Sequence, residues 1–501
     1  MRRTVPPSSL APLAPFAALA ALVALVTLAA CAANTPKVAA PVPATGRVST
    51  KAQRTAVAVT VYNNNSGLVR EERTLDLYAG RVSLEFRDVS TEVEPQTVQV
   101  KALDQSALSI LEQNYRYDLL TPEALLEKSI GKKVKIYRPN KQTGQDDVFE
   151  AEILAVSSGV PVFRIGGQIT YGVPGGRFAF PEVPANLVAK PSLVWLLDSN
   201  TSKARVEVTY LCRGFNWVAD YVLSVGEETD ATAISKADLT GWVTLHNDTG
   251  TSFENAKLKL VAGDVQRVDE SVNGKNDYGG AESTPDEKPS QFSQEDFFEY
   301  HLYGLERPTD LLSNEQKQVT LLEAQQLDVH RRLVFEGNDY YYRGRYGQVS
   351  SNQKVSVFLE IENTEKNHMG MPLPKGVLRV YKADKSGTKQ FIGEDRIDHT
   401  PRDEKINVKM GESFDVVGDR KQTDYKVLGS CTAETAWEIS LRNHKDKADE
   451  VSVLEPLSGD WTVVQASIPY TKDDAHTLSF KPSVPARGEV KFTYRVRMKW
   501  C

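Results

Sequence analysis

A cluster of acidic residues and one histidine is the most unusual polar stretch of this chain. Glu394, Asp395, Asp398 and His399 lie close together in the sequence. Carboxylates beside a histidine can bind a divalent metal ion or transfer protons in general acid–base catalysis. Their spacing matches no established metal motif, and Ile397 between them is typical of the buried position of a strand. We interpret the cluster as a surface turn, with a metal or acid–base site as the alternative.

A second candidate is a run of tyrosines interleaved with arginines. It consists of Tyr340, Tyr341, Tyr342, Arg343, Arg345 and Tyr346. Tyrosine and arginine are enriched at the energetic centres of protein interfaces, and exposed aromatic rings also stack on sugars. The run is therefore a candidate contact surface. The alternative is a hairpin whose tyrosines cover the edge of a hydrophobic core.

Familiar catalytic signatures are absent from the sequence. There is no Gly-x-Ser-x-Gly turn, no His-Glu-x-x-His helix, no Walker loop and no paired-cysteine zinc spacing. The glycine pairs at 166–167 and 175–176 favour hairpin turns over a phosphate loop, because no helix signal follows them. We therefore predict a non-catalytic protein with no cofactor and no metal. The alternative is a catalytic triad or carboxylate pair built from residues far apart in the sequence, since such groups come together only in the folded protein.

The start of the chain indicates lipid attachment. Two arginines precede an uncharged run from Leu10 to Ala30 that is rich in Ala, Leu and Val, which is the arrangement of a secretory signal. Leu28-Ala29-Ala30-Cys31 resembles the bacterial lipobox, in which the cysteine receives a diacylglycerol and the chain is cleaved just before it. We predict cleavage between Ala30 and Cys31 and lipidation of Cys31. The alternative is a retained transmembrane helix, since about 20 apolar residues span a bilayer.

The next segment, residues 31–54, has the composition of a flexible tether. It is poor in large apolar side chains and contains three prolines, so it cannot bury enough surface to fold. In extended form it would reach roughly 70 Å. Ala32 follows the cysteine, where an aspartate would favour inner-membrane retention, so we expect the outer membrane of a bacterial envelope.

Charge and periodicity describe the rest of the chain. With 60 basic and 66 acidic residues, the net charge of −6 gives no support for a nucleic-acid partner. Apolar and polar residues alternate repeatedly, which predicts an all-β protein built of several immunoglobulin-like β-sandwiches. Four strands are predicted to end in an asparagine, a residue suited to strand exits. They are Asn63, Asn247, Asn363 and Asn443.

The predicted domains follow from these signals. Thr121 and Pro122 begin a short helix that Gly131 ends, and a small β-unit follows it. The predicted boundaries are 55–120 for an N-terminal β domain, 121–182 for the helix and β-unit, 183–425 for a central sandwich region with a disordered loop at 269–296, and 426–501 for a C-terminal sandwich. Cys212, Cys431 and Cys501 permit one disulfide, and the sequence leaves their pairing open.

Several ordered blocks resemble a known family. They are Tyr210–Tyr221, Asn255–Val265, Glu299–Tyr303, Gly393–Pro401, Phe414–Arg420, Leu441–Lys445 and Gly459–Trp461. Together they are similar to the bacterial domain of unknown function 4139 family, whose relatives are sometimes labelled mucoidy-inhibitor-like. Cys212 departs from the small hydroxyl residue expected there, and the small β-unit replaces the coiled coil of some relatives. The resemblance implies a β-rich envelope protein and names no catalytic residue.

The sequence thus predicts where the protein works more firmly than what it does. We expect a membrane-anchored envelope lipoprotein that binds or scaffolds an envelope protein or glycan without catalysis. Its membrane contact would be the lipid on Cys31. The alternative is a lipid-anchored hydrolase acting on envelope peptide or glycan, for which Glu394, Asp395, Asp398 and His399 are the candidate residues.

Overall fold

The computed structural model describes residues 45–104, 108–184, 187–228, 234–263, 265–266, 292–298 and 300–501. Strands hold 67% of the residues and helices 5%, which confirms the predicted all-β fold of several sheets. The predicted signal peptide, the cleavage site at Ala30 and Cys31 lie outside these ranges. Within them, no helix combines the length and apolar character needed to cross a membrane.

The strands are numbered in chain order, with a single α-helix in the described residues. The first third contains β1 Thr45–Ser49, β2 Arg54–Tyr62, β3 Ser66–Asp76, β4 Gly80–Phe86, β5 Gln99–Ala102, β6 Leu108–Arg116, α1 Pro122–Glu127, β7 Lys133–Pro139, β8 Asp146–Ser157, β9 Val160–Ile165, β10 Gln168–Tyr171 and β11 Arg177–Ala179. The middle contains β12 Ser192–Ser199, β13 Lys203–Arg213, β14 Phe215–Glu228, β15 Ile234–Asn247, β16 Phe253–Ala262, β17 Phe292–Phe297, β18 Tyr300–Leu305, β19 Thr309–Leu311, β20 Glu315–Glu336 and β21 Gln348–Glu362. The last part contains β22 Gly376–Ala383, β23 Lys389–Ile397, β24 Lys405–Gly429, β25 Thr432–Asn443, β26 Asp449–Pro456, β27 Asp460–Ala466, β28 Tyr470–Lys472, β29 Thr477–Phe480, β30 Ser483–Val484 and β31 Gly488–Lys499.

These strands form four sheets. A four-stranded sheet has the order β1-β4-β12-β6, and a five-stranded sheet has the order β10-β9-β8-β7-β11. An eight-stranded sheet runs β17-β18-β16-β2-β3-β13-β5, with β19 paired to β16. The largest sheet runs β23-β22-β14-β15-β20-β21-β24-β25-β31-β27 and also includes β26, β28, β29 and β30.

The N-terminal strands are not a separate domain. β2 pairs in parallel with β16, and β3 pairs antiparallel with β13. Val59, Val206 and Leu260 are fully buried in one shared hydrophobic core. The predicted boundary between 55–120 and 183–425 therefore falls inside a single packing unit, because strands distant in sequence complete each other's sheets.

The C-terminal sandwich begins well before residue 426. β20, β21 and β24 are long strands that pass from the first core into a second one. In β20, for example, Leu327 and Val329 lie in the first core, whereas Leu333 and Phe335 lie in the second. The boundary predicted at 425/426 is therefore wrong: three strands belong to both units.

The small β-unit is an insertion in a hairpin. β6 and β12 are antiparallel neighbours, and the five-stranded sheet β7–β11 lies between them in sequence. Its first helix starts as predicted, since the Thr121 hydroxyl accepts the Ala124 N–H at 3.1 Å. Gly166 and Gly167 have positive φ angles of 55° and 81° and join β9 to β10, so the predicted hairpin turn is confirmed.

Parts of two segments that were predicted to be flexible form strands. Residues 45–49 of the predicted tether form β1, which pairs in parallel with β4. Residues 292–296 of the predicted disordered loop belong to β17, which pairs with β18; residues 267–291 lie outside the described ranges. In both cases the strand partner supplies stability that local composition does not reveal.

Three of the four exit asparagines tie a strand end to its surroundings. Asn247, Asn363 and Asn443 are buried, and the side-chain amide of each donates to at least two backbone carbonyls.

The disulfide joins Cys431 to Cys501, with Cα atoms 5.7 Å apart, and Cys212 is a buried thiol.

Replacing Asn443 with alanine is expected to lower the free energy of unfolding by about 1–3 kcal/mol. The Asn443 amide donates to the carbonyls of Lys447, Val484 and Pro485, and its oxygen accepts the Lys445 N–H at 3.0 Å. Alanine would leave buried backbone groups without partners. Hydrogen exchange of β25 and β31 peptides would measure the loss.

Asn63→Ala is the matched control. Asn63 is half-buried, and within the described ranges its side chain makes none of these bonds. We expect a change within about 0.5 kcal/mol for this variant. Equal effects of the two substitutions would contradict the assigned role of the buried asparagines.

Candidate functional site

The four predicted acid–base residues do not converge on one point. The exposed Glu394 carboxylate pairs with Arg379 at 3.1 Å, whereas neighbouring Asp395 points to the opposite side of β23 and accepts the Lys409 N–H at 2.7 Å. Asp398 is exposed, and His399 Nδ1 accepts the Lys375 N–H at 3.2 Å. Among the described residues, no group of three His, Cys, Asp or Glu side chains is placed to hold a metal ion. These contacts fit the surface turn.

The tyrosine–arginine run forms the connection between β20 and β21. We call residues Asn338–Gly347 the aromatic loop; it starts with a 3-10 helix over Asp339–Tyr342. The rings of Tyr340 and Tyr346 are 46% and 48% exposed, and they lie edge-on 6.1 Å apart. Arg343 and Arg345 are also exposed. These four residues remain candidates for a contact surface.

Tyr342 has a different role from the one predicted. It is 1% exposed, and its hydroxyl donates to Glu455 Oε2 at 2.5 Å and lies 2.7 Å from the Tyr494 hydroxyl. Its ring also packs beside Trp437, with centroids 5.5 Å apart. Tyr342 therefore belongs to the core of the C-terminal sandwich and cannot contact a partner.

Beneath the aromatic loop lies a buried ion pair. Arg420 Nη2 donates to Glu455 Oε1 at 2.8 Å, and both side chains are 0% exposed. Arg420 Nη1 also donates to the Glu336 carbonyl at 3.4 Å. We call Arg420, Glu455, Tyr342 and Tyr494 the buried network. Such a network is stable only when every buried polar group has a partner, because desolvation of each charge is costly.

The protonation of this network follows from its burial. Desolvation raises the pKa of both Tyr342 and Tyr494 well above the usual value, so both phenols stay protonated. Burial lowers the pKa of Arg420, but the charge and hydrogen bond of Glu455, together with Tyr494 and Tyr342, outweigh burial, so the net shift of the pKa is upward. The network thus holds a permanent cation and two neutral donors around one carboxylate.

Packing above the network holds the start of the aromatic loop. The Arg420 guanidinium lies 4.4 Å from the Phe335 ring centroid and 5.5 Å from that of Tyr341. Gly337 approaches the Glu455 carboxylate so closely that a Cβ atom there would overlap it. Tyr341 contacts Tyr340 in turn, with centroids 4.6 Å apart. An exposed ring is therefore connected to the buried ion pair through direct contacts.

Gln422 holds the other end of the loop. Its backbone N–H donates to the Gly347 carbonyl at 2.7 Å, and its side-chain amide donates to the Gly344 carbonyl at 2.9 Å. Its Oε1 accepts the Tyr346 N–H at 2.7 Å. Arg345 adds a bond to the Tyr425 carbonyl at 3.1 Å. Both ends of the aromatic loop are therefore held by contacts with the C-terminal sandwich.

Arg420, Glu455 and Tyr494 were not among the predicted site residues, although the alternation of their strands carried a signal. Val416, Gly418, Arg420 and Gln422 share one face of β24, and all four are buried. Glu455 likewise follows Val451 and Val453 on the inward face of β26. Charged residues in phase with buried apolar ones mark buried charges, and two of opposite sign suggest a pair.

Comparisons with known proteins leave the family open. No protein-family model matches this chain, and no curated protein matches it either. The resemblance to the domain of unknown function 4139 family stays a prediction. Functional inference therefore rests on the geometry of the aromatic loop and on the predicted anchor.

Proposed function

We propose that this protein is a lipid-anchored, non-catalytic envelope protein that binds another envelope component through the aromatic loop. The observation that carries the proposal is that Tyr340, Tyr346, Arg343 and Arg345 are exposed on a loop whose two ends are packed and hydrogen-bonded to the C-terminal sandwich. Exposed aromatic rings on a fixed backbone lose little conformational entropy when a partner binds.

The chemistry of the loop supports binding over catalysis. Tyr340 and Tyr346 offer ring faces and hydroxyl groups, while the two arginines offer guanidinium planes, of which Arg343 pairs internally with Asp339. Tyrosine and arginine dominate interface hot spots, and tyrosine rings also stack on sugar faces. A protein or a glycan of the envelope fits these groups. The hydrolase alternative lacks support, since Glu394, Asp395, Asp398 and His399 do not share a site.

The anchor completes the proposal. Residues 31–44 lie between the predicted lipid on Cys31 and β1, and in extended form they would span roughly 45 Å. Such a length would let the folded part reach partners close to the membrane. The lipid would fix the location and the loop would make the contact.

We expect Tyr340→Ala with Tyr346→Ala to reduce capture of the partner at least about tenfold, because hot-spot truncations cost about 2 kcal/mol or more. The measurement is affinity capture of the full chain from detergent-solubilised envelopes, with proteins and glycans both quantified. Enrichment of a protein or of a glycan would identify the class of partner.

Tyr470→Ala is the matched control for this experiment. Tyr470 is 47% exposed and lies in the same sandwich, outside the loop. Its substitution should leave the captured set unchanged. Identical captured sets from the double variant, the control and the unchanged chain would contradict the proposed contact surface.

A further inference from the structure

An exposed strand edge lies far from the aromatic loop in sequence. β6 is the last strand of the four-stranded sheet and hydrogen-bonds to β12 alone within the described residues. Its residues 109–114 are all exposed. Strand edges with unpaired backbone groups readily accept another strand, so natural proteins usually protect them with lysine, proline or a covering element.

β6 lacks most of this protection. Residues 108–116 contain no lysine and no proline, and two apolar side chains, Ile110 and Leu111, are 38% and 46% exposed. The register of β6 with β12 shifts beside Leu111, so a bulge interrupts the N-terminal half of β6. Within the described residues, the segment Glu112–Arg116 pairs regularly with β12 and has no strand partner on its other edge.

Side chains on the inner face hold this edge in place. Gln113 accepts the Trp195 indole N–H at 2.9 Å and donates to the Pro95 carbonyl at 2.8 Å. The Tyr115 hydroxyl donates to the Thr91 carbonyl at 3.0 Å. The strand is therefore already fixed in the extended form that an added strand would require.

The charges of β6 complement each other. Glu112 and Arg116 lie on the same outward face, and neither forms an ion pair within the described part of the chain. In an antiparallel pair of two β6 strands centred on Asn114, each Glu112 faces the other copy's Arg116. Gln113 then faces Tyr115, and Leu111 faces the exposed Tyr117. Opposite charges facing each other across strands are stabilising.

Neighbouring registers fit less well. Centring the pair on Glu112 would place two carboxylates opposite each other, which is destabilising. Centring it on Gln113 would place Glu112 opposite Asn114 and Arg116 opposite Ile110, so neither charge would face its opposite. The sequence of the edge therefore selects Asn114 as the centre.

We propose that two copies of this chain associate through antiparallel pairing of β6 about a two-fold axis at Asn114. The pairing joins two four-stranded sheets into one continuous sheet and shields both edges. Attachment of both copies to one membrane would raise their effective concentration and favour a modest interface. The inference stands apart from the aromatic loop, which belongs to the other end of the chain.

The test is a cysteine at the proposed axis. In full-length Asn114→Cys, the two introduced cysteines would face each other at the Cα separation of about 5 Å that a disulfide requires. Cys431 and Cys501 are already bonded and Cys212 is buried, so these native residues do not compete. We expect mild oxidation in membranes to give a homodimer linked through position 114.

Glu112→Cys is the register control. Its two copies would lie about 13 Å apart along the strands, too far for a disulfide, whereas a mixture of Glu112→Cys and Arg116→Cys chains should link to each other. Absence of the Asn114→Cys dimer, equal linking by Glu112→Cys alone, or a disulfide to a different protein would each overturn the proposal.

Exchanging the charges of Glu112 and Arg116 tests the same register without placing a cysteine at either position. In the Asn114→Cys background, Glu112→Arg should lower the linked fraction about fivefold to tenfold, because two attractive pairs become repulsive. Adding Arg116→Glu should restore linking by exchanging the charges. An Arg116→Glu change that fails to rescue would contradict the register.

Discussion

Replacing Glu455 with glutamine is expected to lower the free energy of unfolding of the C-terminal sandwich by about 3–5 kcal/mol. The substitution keeps the size of the side chain but removes the one negative charge that contacts Arg420 among the described residues. The Arg420 guanidinium is completely buried. A buried cation without a counterion is among the most costly defects in a protein core. Loss of the carboxylate also weakens the bond from Tyr342, which now donates at 2.5 Å.

The measurement is hydrogen exchange on peptides of β25 and β26, because the chain has more than one core and a global midpoint would average over them. Arg420→Met alone should also be destabilising. The combination of Arg420→Met with Glu455→Met should cost clearly less than the two single changes added together, since an apolar pair replaces the ion pair. Additive losses would contradict a direct interaction.

An exposed ion pair in the same sandwich provides the control. Arg487 and Asp446 lie 2.5 Å apart, with side chains 76% and 77% exposed. Asp446→Asn should change the free energy of unfolding by less than about 1 kcal/mol, because solvent already screens the pair. A similar loss in both carboxylate variants would show that burial is not the cause.

The Glu455 variant also bears on binding. If the buried network holds the aromatic loop, Glu455→Gln should increase hydrogen exchange in residues 338–347 and weaken partner capture, although Tyr340 and Tyr346 are unchanged. Preorganised contact residues lose affinity when their support loosens. If the variant shows faster exchange in the aromatic loop but captures the partner normally, the buried network is not required for binding.

Local sequence signals predicted the all-β class and several individual elements of the fold. Alternation indicated many of the strands, and the Thr121–Pro122 pair located the start of α1. Glycines 166 and 167 predicted a tight turn, which the positive φ angles confirm. Asn247, Asn363 and Asn443 were identified as strand ends, and the structure adds that each is buried and ties the strand to a loop. These features depend on neighbours along the chain, so a single sequence reveals them.

Domain boundaries could not be predicted in the same way. β20, β21 and β24 are each one continuous strand that contributes to both cores, so no loop marks where one core ends and the next begins. β1 pairs with β4, and β17 forms a hairpin with β18, which in turn pairs with the distant strand β16. The local composition of β1 and β17 had predicted flexibility. Whether such a segment forms a strand depends on its pairing with strands far away in the sequence. The periodicity within one strand does not reveal which strand will be its partner.

The candidate site was predicted in composition but not in detail. The tyrosine–arginine run was identified, yet nothing local distinguishes buried Tyr342 from exposed Tyr340 two positions earlier. The 3-10 helix over Asp339–Tyr342 replaces strand alternation there, so the two tyrosines need not share a face. Tyr342 is the buried tyrosine because its hydroxyl donates to Glu455, which lies on a strand more than a hundred residues later.

Release from the membrane is the largest effect we expect, and it follows from one substitution. In the proposed account, Cys31 carries the acyl chains that attach the protein, and each buried methylene contributes about 0.8 kcal/mol. Cys31→Ser removes the attachment chemistry and leaves the folded part unchanged. Ala32→Ser, one residue later, keeps the cysteine and should remain attached.

Membrane attachment through Cys31 is tested by fractionation of cells that express the two variants. Membranes are washed with high salt, treated with detergent, and the N-terminal peptide mass is determined. We expect Ala32→Ser to stay in membranes until detergent is added and to carry a lipid-sized mass on Cys31, whereas essentially all Cys31→Ser should be soluble. Retention of Cys31→Ser in washed membranes, or an unmodified Cys31 in the Ala32→Ser chain, would contradict it.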